Sequence, residues 1–231
     1  MARNGRAMSP VAGRPDAGKG RGSRTVEPLR PEGHIREKLM GAALGLFTRR
    51  GYAATTVREL VAEAGVTKPV LYYYFGSKEG LFLELMRTHF ARLEAVVDRH
   101  RQGEGRVRPR LTAMLDSAFA YVQQDRDFVR LMHAVYFGPP DEAPRFDFDA
   151  YHQRYHDLIA RLIGEGIERN EFRRENAADM AWIVLGTISI AVEDQIANHA
   201  PRIDRETLGR LLGLVFDGLT ADPGRNKKGA P

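Results

Sequence analysis

Residues 51–81 read GYAATTVRELVAEAGVTKPVLYYYFGSKEGL, and this stretch carries the start and stop signals of consecutive helices. Thr56 and Glu59 stand at the spacing of a capping box, which predicts a helix start. Gly65 ends that helix, because a residue without a β-carbon adopts the left-handed conformation at little cost. Thr67 is placed to cap the next helix. The stretch therefore predicts two short helices joined by a tight turn.

The second short helix has a surface that one core cannot absorb. Pro69 falls in its first turn, where amide groups lack intrahelical partners in any case. Leu71 and Phe75 point back toward the preceding helices, whereas Tyr72 and Tyr73 point roughly opposite. Three consecutive tyrosines span about 200° of a helix, so at least one of them faces solvent or a partner. A short helix of this kind, supported by another helix, is typical of a reader of the DNA major groove.

A third, longer helix follows directly. Ser77 is placed to cap it, and Lys78 lies at its start, where free amides and the positive end of the helix dipole favour an anion such as phosphate. Apolar residues continue at helical spacing to about Arg101, without a Gly or Pro interruption after Gly80. We therefore expect this helix to join the DNA-reading unit mechanically to the rest of the chain.

This segment resembles the DNA-binding domain of the tetracycline-repressor (TetR) family of bacterial regulators over about residues 33 to 81. The matching residues are Gly51-Tyr52, Thr55-Thr56, Ala64-Gly65-Val66-Thr67, Leu71-Tyr72, Tyr74-Phe75, Ser77-Lys78-Glu79 and Leu81. The resemblance implies base-edge contacts from Lys68, Pro69, Val70 and Tyr73. It implies phosphate contacts from Thr56, Tyr72, Tyr74 and Lys78. Members often have Gly or Ala in place of Pro69 and Ser or Thr in place of Val70, so the base preference stays open.

Composition and charge agree with a nucleic-acid-binding end on a body of another kind. Residues 1–30 contain seven basic and two acidic residues and residues 31–80 seven and five, whereas residues 81–220 contain 18 and 22. The chain has no cysteine, which excludes disulfides and thiolate metal sites and suits the cytoplasm. The longest apolar run, 181–192, predicts a buried helix rather than a membrane span. We expect no cofactor and no membrane partner.

The chain divides into four predicted parts. Residues 1–30 and 221–231 are predicted to be disordered basic tails, because they lack the apolar residues that offset the entropy of ordering. Residues 31–80 form the helix-turn-helix domain and residues 81–220 a helical effector-binding and dimerisation domain. The first tail is either passive or an arm that touches the DNA minor groove or backbone through Arg21, Arg24 and Arg30.

The fold class predicted for the whole chain is all-α, with about nine helices. A support helix carrying Ile35, Leu39, Ala43, Leu46 and Phe47 precedes Gly51. Strand-type alternation does not persist anywhere, and prolines separate the later helical segments. Body helices are predicted near 107–124, 126–137, 147–169, 176–198 and 204–220.

The last two predicted helices have more apolar surface than a small body readily covers. Simple core packing is one interpretation. The resemblance implies a homodimer in which these helices form a four-helix bundle with their copies. The predicted dimer interface consists of Leu185, Ile188, Val192, Ile196, Leu208, Leu211, Leu212, Val215 and Phe216.

The resemblance also implies a small-molecule pocket in the body. The candidate lining is aromatic or polarizable, which favours an aromatic or lipophilic effector. These residues are Met114, Phe119, Met132, His133, Tyr136, Phe137, Tyr155 and Trp182.

The predicted function is that of a transcription factor. We expect a repressor, which an effector releases from a palindromic operator, rather than an activator. A metal-dependent enzyme is a second class, since Asp149, His152 and His156 stand three and four residues apart on one helix face. The same spacing arises by accident on polar helices, and no catalytic motif accompanies it. A protein that keeps the fold but binds another partner is a third class.

Overall fold

A computed structural model describes residues 31–101, 104–198 and 200–220. The described part of the chain forms nine α-helices and only an isolated β-bridge between Phe172 and Thr220, which confirms the predicted all-α class. The predicted tails and the arginines of the proposed arm, Arg21, Arg24 and Arg30, lie outside the described residues. The helices are α1 (Pro31–Arg50), α2 (Val57–Ala64), α3 (Lys68–Phe75), α4 (Lys78–Arg101), α5 (Val107–Gln124), α6 (Arg126–Phe137), α7 (Phe148–Glu168), α8 (Ala177–Ala197) and α9 (Arg205–Leu219).

Local signals position the short helices as the sequence predicts, with one exception. Thr56 and Glu59 form the capping box, and Gly65 ends α2 with a φ of 66°. Thr67 occupies the N-cap of α3, but its side chain makes no capping hydrogen bond. A cap accepts from the second or third helical amide; here Pro69 has no amide hydrogen, and Val70 donates to the Thr67 carbonyl instead.

Two hydrophobic cores run through the described chain. In the first, Leu39, Phe47, Leu60 and Leu71 of the first three helices pack with the beginning of α4. This core also takes in buried side chains from α6 and the start of α7, among them Phe128. The first core therefore does not end at α4 but continues from the helix-turn-helix unit into the body. The second core lies among the later part of α4 and helices α5, α7, α8 and α9.

Helix α8 runs for 21 residues and is long and apolar enough, by length and composition, to cross a membrane. It is longer than the apolar run from which the sequence predicts a buried helix. One side of α8 packs in the second core, and buried Asp194 near its end accepts hydrogen bonds from the Arg202 and Ile203 amides. Core helices of soluble proteins pass the same composition test. The connection between α8 and α9 is thus fixed by a buried carboxylate.

Candidate nucleic-acid interface

One buried residue sets which side of α3 faces solvent, and we call that exposed side the reading face. Leu71 is fully buried against the supporting helices, which fixes the rotation of α3 about its axis. Tyr73 is then 80 % exposed and Tyr72 49 % exposed, and Lys68 and Pro69 are exposed as well. The result is an aromatic and basic surface that is exposed to solvent in the described part of the chain.

The remaining residues of the predicted set lie deeper. Val70 and Tyr74 are half-buried and pack against the first core. The Tyr74 ring meets the Tyr73 ring edge-on at a centroid distance of 5.1 Å. Tyr74 is therefore placed to orient Tyr73 while it keeps part of its own surface open.

Thr56 has a structural task besides any contact with phosphate. Its hydroxyl accepts a hydrogen bond from the Glu59 amide at 3.3 Å, and its own amide donates to the Glu59 carboxylate at 2.8 Å. The backbone and side-chain hydrogen bonds of Thr56 lower the pKa of Glu59. Thr56 remains exposed, so it presents the start of α2 to solvent.

Lys78 is more than the solvent-facing anchor that the sequence suggests. Its Nζ donates to the Tyr52 and Thr55 carbonyl oxygens at 2.9 and 2.8 Å, and it lies 4.0 Å from the centre of the Tyr52 ring. Burial lowers the pKa of the Lys78 ammonium. An ammonium has three donors, so one remains available for a phosphate. Lys78 therefore ties the first turn of α4 to the loop between α1 and α2.

We expect Lys78→Met to affect both stability and DNA affinity. Methionine keeps most of the side-chain volume but removes both hydrogen bonds, which we expect to lower the free energy of unfolding by about 1–2 kcal/mol. Affinity should fall on all DNA sequences alike, with the salt dependence reduced by about one phosphate contact. Thermal unfolding and binding titrations across salt concentrations measure the two effects. Lys68→Met is the matched control for stability. An unchanged melting temperature for Lys78→Met would contradict the structural role of Lys78.

The sequence analysis missed one exposed cation of α2. Arg58 lies in the first turn of α2 and is exposed, whereas Arg49 and Arg50 are paired with acidic residues of α2. The sequence contained the signal, because Arg58 lies two residues after the N-cap Thr56, in the first turn of the predicted helix. We add Arg58 to the candidate phosphate contacts.

The eight predicted effector residues lie at different depths in the described chain. Met114 and Phe119 are buried in the second core, and Met132, His133 and Tyr155 are half-buried. Tyr136, Phe137 and Trp182 lie on the surface. The sequence placed all eight on body helices, but it could not give the rotation of each helix about its axis. A groove of about 510 Å³ between α5 and α9 contains none of them.

The possible metal set does not converge either. Among the residues that the structure describes, there is no group of three His, Cys, Asp or Glu side chains that could hold a metal ion. The Nε2 of buried His156 lies 3.1 Å from the Ala178 carbonyl, and its ring packs against Trp182. Exposed His152 and Asp149 instead lie against Tyr136. Packing of α7 on α8 therefore separates the three side chains.

Three residues of the predicted dimer interface are buried in the core of the subunit itself. Leu208, Leu212 and Phe216 are at most 1 % exposed and belong to the second core, so they cannot meet a second copy. The other six predicted residues are half-buried. The apolar side chains that α8 and α9 leave exposed are different ones. We call them the α8–α9 face: Trp182, Ile183, Ile190 and Leu214.

Comparisons with known proteins agree with this geometry. Residues 39–85 match the family of bacterial regulatory proteins called the tetR family. The transcriptional activator FasR of Mycolicibacterium smegmatis is 31 % identical over 217 residues, which cover 91 % of this chain and 92 % of that protein. The transcriptional repressor KstR2 of Mycobacterium tuberculosis is 28 % identical over 198 residues, covering 81 % and 94 %.

The fold is also that of a solved relative. The structure of the ketosteroid transcriptional regulator KstR2 of Mycobacterium tuberculosis aligns with a TM-score of 0.63 and 22 % identity, covering 81 % of this chain and 95 % of that one. The matched family and these relatives are transcription regulators, not enzymes. With its exposed helix α3 on a capped helix-turn-helix, this chain belongs to the TetR family and is a DNA-binding transcription regulator.

Proposed function

We propose that this regulator is a cytoplasmic homodimer that represses transcription from a palindromic operator and leaves it when a small molecule binds. The observation that carries the proposal is the reading face of α3, where Lys68, Pro69, Tyr72 and Tyr73 are exposed among the described residues. Helix α4 begins two residues beyond α3 and runs unbroken through 24 residues into the body. A change in the body is thereby transmitted to the reader.

The α8–α9 face supports the homodimer. Trp182 of α8 is 59 % and Leu214 of α9 72 % exposed, and large apolar side chains exposed on two packed helices favour an interaction site. A second copy packed on the face would make a four-helix bundle from two pairs of helices. Two-fold symmetry then presents two copies of α3 to two half-sites about one DNA turn apart.

Tyr155 supports an effector site within the body. Its hydroxyl is buried without a hydrogen-bond partner among the described residues, and burial raises the pKa of this group. A buried polar atom without a partner costs free energy that a ligand acceptor or donor would recover. The ring packs against the second core, and the hydroxyl lies close enough to α4 to feel the charge of Glu94, so an effector at Tyr155 would bear on the helix that carries the reader. The ring side is apolar, whereas the charges of Glu94, Arg154 and Asp98 act on the hydroxyl, which favours a lipophilic effector with one polar group.

Selection of bound fragments from genomic DNA with the purified full-length protein tests the proposal. We expect enrichment of an inverted repeat whose half-sites lie about one helical turn apart. Transcripts of the adjacent genes should rise in a strain that lacks this regulator. A fall would assign an activator, the second candidate, which the 31 % identity to the activator FasR favours. A failure to enrich any sequence at low salt would contradict DNA reading.

The base-reading residues give a separate prediction. Lys68→Ala and Tyr73→Ala should change which operator variants are preferred, because these exposed side chains are placed to meet base edges. Each lost base contact should cost about 1–3 kcal/mol at one operator position and little elsewhere. Competition titrations with single-base operator variants measure this pattern. Arg58→Ala is the control, for which we expect a uniform loss over all variants.

A further inference from the structure

A cleft of about 460 Å³ lies at the junction between the reader and the body. Helix α1 of the reader forms one wall with Met40, Gly41 and Leu44, and the end of α5 forms the other. Between them lies α4, the helix that joins the two parts. The volume falls within the range of small-molecule sites in proteins. The cleft lies apart from Tyr155, which packs in the second core.

The inner end of the cleft is a buried polar network. The Nδ1 of His89 lies 2.5 Å from the Asp125 carboxylate, and the His89 ring stacks on Phe128. The Tyr121 hydroxyl lies 3.2 Å from both the Asp125 carboxylate and the His89 carbonyl, and donates to one of them. Burial alone would raise the pKa of Asp125, but the hydrogen bond and charge of His89 hold it below its ordinary value. The Asp125 carboxylate is therefore already satisfied and does not need a ligand.

The polar groups of the cleft that this network does not use are mainly hydrogen-bond donors. His89 Nε2 makes no hydrogen bond within the described chain, since both ring contacts use Nδ1. With Nδ1–H toward Asp125, Nε2 is a donor when the ring is the charged imidazolium, the form that pairs with the Asp125 carboxylate. The ion pairs of α4 use Glu84, His89, Glu94 and the Asp98–Arg101 pair, so Arg92 has no ion-pair partner among the described residues. Arg92 lines the cleft close enough to act on the charge of Asp125. Two carboxylates line the cleft: Asp125 at its inner end, which is paired with His89, and Glu37 at the exposed rim on α1.

We propose that this junction cleft binds a small amphipathic carboxylate, with the carboxylate on Arg92 and His89 Nε2 and the apolar part against Met40 and Leu44. Charge-assisted hydrogen bonds to a guanidinium supply the orientation, and the apolar wall supplies burial. Since the two walls belong to the reader and the body, a bound ligand favours one angle between them. This regulatory consequence rests on the proposed function, whereas the binding itself does not. The site would act beside an effector site in the body.

Titration calorimetry on the full-length protein tests the binding with phenylbutyrate at millimolar concentration. Phenylbutylamine and phenylbutanol, which share the apolar part, are the charge controls. We expect the carboxylate to bind more tightly than either. Arg92→Gln should weaken it by about tenfold through the loss of a charged hydrogen-bond donor. Glu37→Gln should strengthen it, because the substitution removes the one opposing charge at the rim.

Two glycines of α1 provide a matched pair of variants. A β-carbon at Gly41 or at Gly33 would meet nothing within 4 Å, so neither substitution strains the helix. Gly41 lines the cleft and Gly33 does not. Gly41→Leu should therefore fill the cleft and abolish phenylbutyrate binding, while Gly33→Leu leaves it unchanged. No binding by the wild type, tighter binding of the amine, or wild-type affinity in Gly41→Leu would each overturn the site.

The regulatory step has its own measurement. Phenylbutyrate should change the affinity of the wild type for a selected genomic fragment and leave that of Gly41→Leu unaltered. Unaltered wild-type affinity, with calorimetric binding intact, would overturn the regulatory step and keep the site. If the protein binds no genomic fragment, the proposed function is wrong. Calorimetry would then still test whether the cleft binds phenylbutyrate.

Discussion

Gly80→Ala should unfold or misplace the recognition helix, although alanine normally stabilises a helix relative to glycine. A β-carbon at Gly80 would overlap the Phe75 carbonyl oxygen, and a backbone atom cannot swing aside as a flexible side chain can. Phe75 is the last residue of α3, so relief of the overlap requires α3 and α4 to move apart. We expect a loss of about 3 kcal/mol in the free energy of unfolding. Operator affinity should fall by more than about tenfold, since α3 leaves its reading position.

Gly41→Ala is the control for this substitution. Gly41 also lies within a helix, but a β-carbon there has open space around it. We expect it to stabilise the protein by about 0.5–1 kcal/mol and to keep operator affinity. Thermal unfolding followed by circular dichroism, with fluorescence anisotropy on a selected operator fragment, compares the two. Equal stability and affinity for Gly80→Ala and Gly41→Ala would show that the junction between α3 and α4 accommodates a side chain.

Leu214→Glu should convert the protein to monomers. Leu214 is 72 % exposed in the isolated subunit, so a glutamate there is tolerated by the subunit itself. In a dimer through the α8–α9 face, two-fold symmetry would bury the new charge twice. An uncompensated buried charge costs about 3–5 kcal/mol, which corresponds to a rise of at least about a hundredfold in the dissociation constant. Operator affinity should fall with it, because one subunit reads only one half-site.

Phe137→Glu is the matched control for the dimer. Phe137 is exposed to a similar degree, but it lies at the end of α6 and outside the α8–α9 face. Sedimentation velocity should show a monomer for Leu214→Glu and a dimer for Phe137→Glu, with equal helix content for both. A dimer that survives Leu214→Glu and dissociates with Phe137→Glu would move the interface to α6.

The order of helices was predictable because their ends are coded by neighbouring residues. The capping box at Thr56, the left-handed Gly65 and the cap at Ser77 are local hydrogen-bonding and backbone effects. The same is true of the reading face of α3, since one buried residue, Leu71, fixes which side of a short helix is exposed. Sequence spacing is sufficient for features whose partners lie within one or two turns.

The interface and the effector residues were less predictable, because the body helices are apolar on more than one side. On α9, Leu211 and Leu212 were both predicted in the dimer interface, yet Leu212 is buried in the subunit and Leu211 only half-buried. Helical spacing gives the relative angle between side chains and not the direction in which the neighbours lie. For the same reason, spacing could not show that Trp182, which was predicted to line the effector pocket, is 59 % exposed in the subunit.

By itself, the sequence determined an all-helical regulator with a DNA-reading helix at residues 68–75, since capping, turn and exposure signals act over a few residues. Tertiary structure alone decided what depends on distant partners. It turned Lys78 toward the Tyr52 and Thr55 carbonyls, and it joined His89 to Asp125, 36 residues away, at the junction cleft. The physical reason is that these contacts depend on how whole helices pack against one another, and that packing is set by the sum of all buried surfaces rather than by any local pattern.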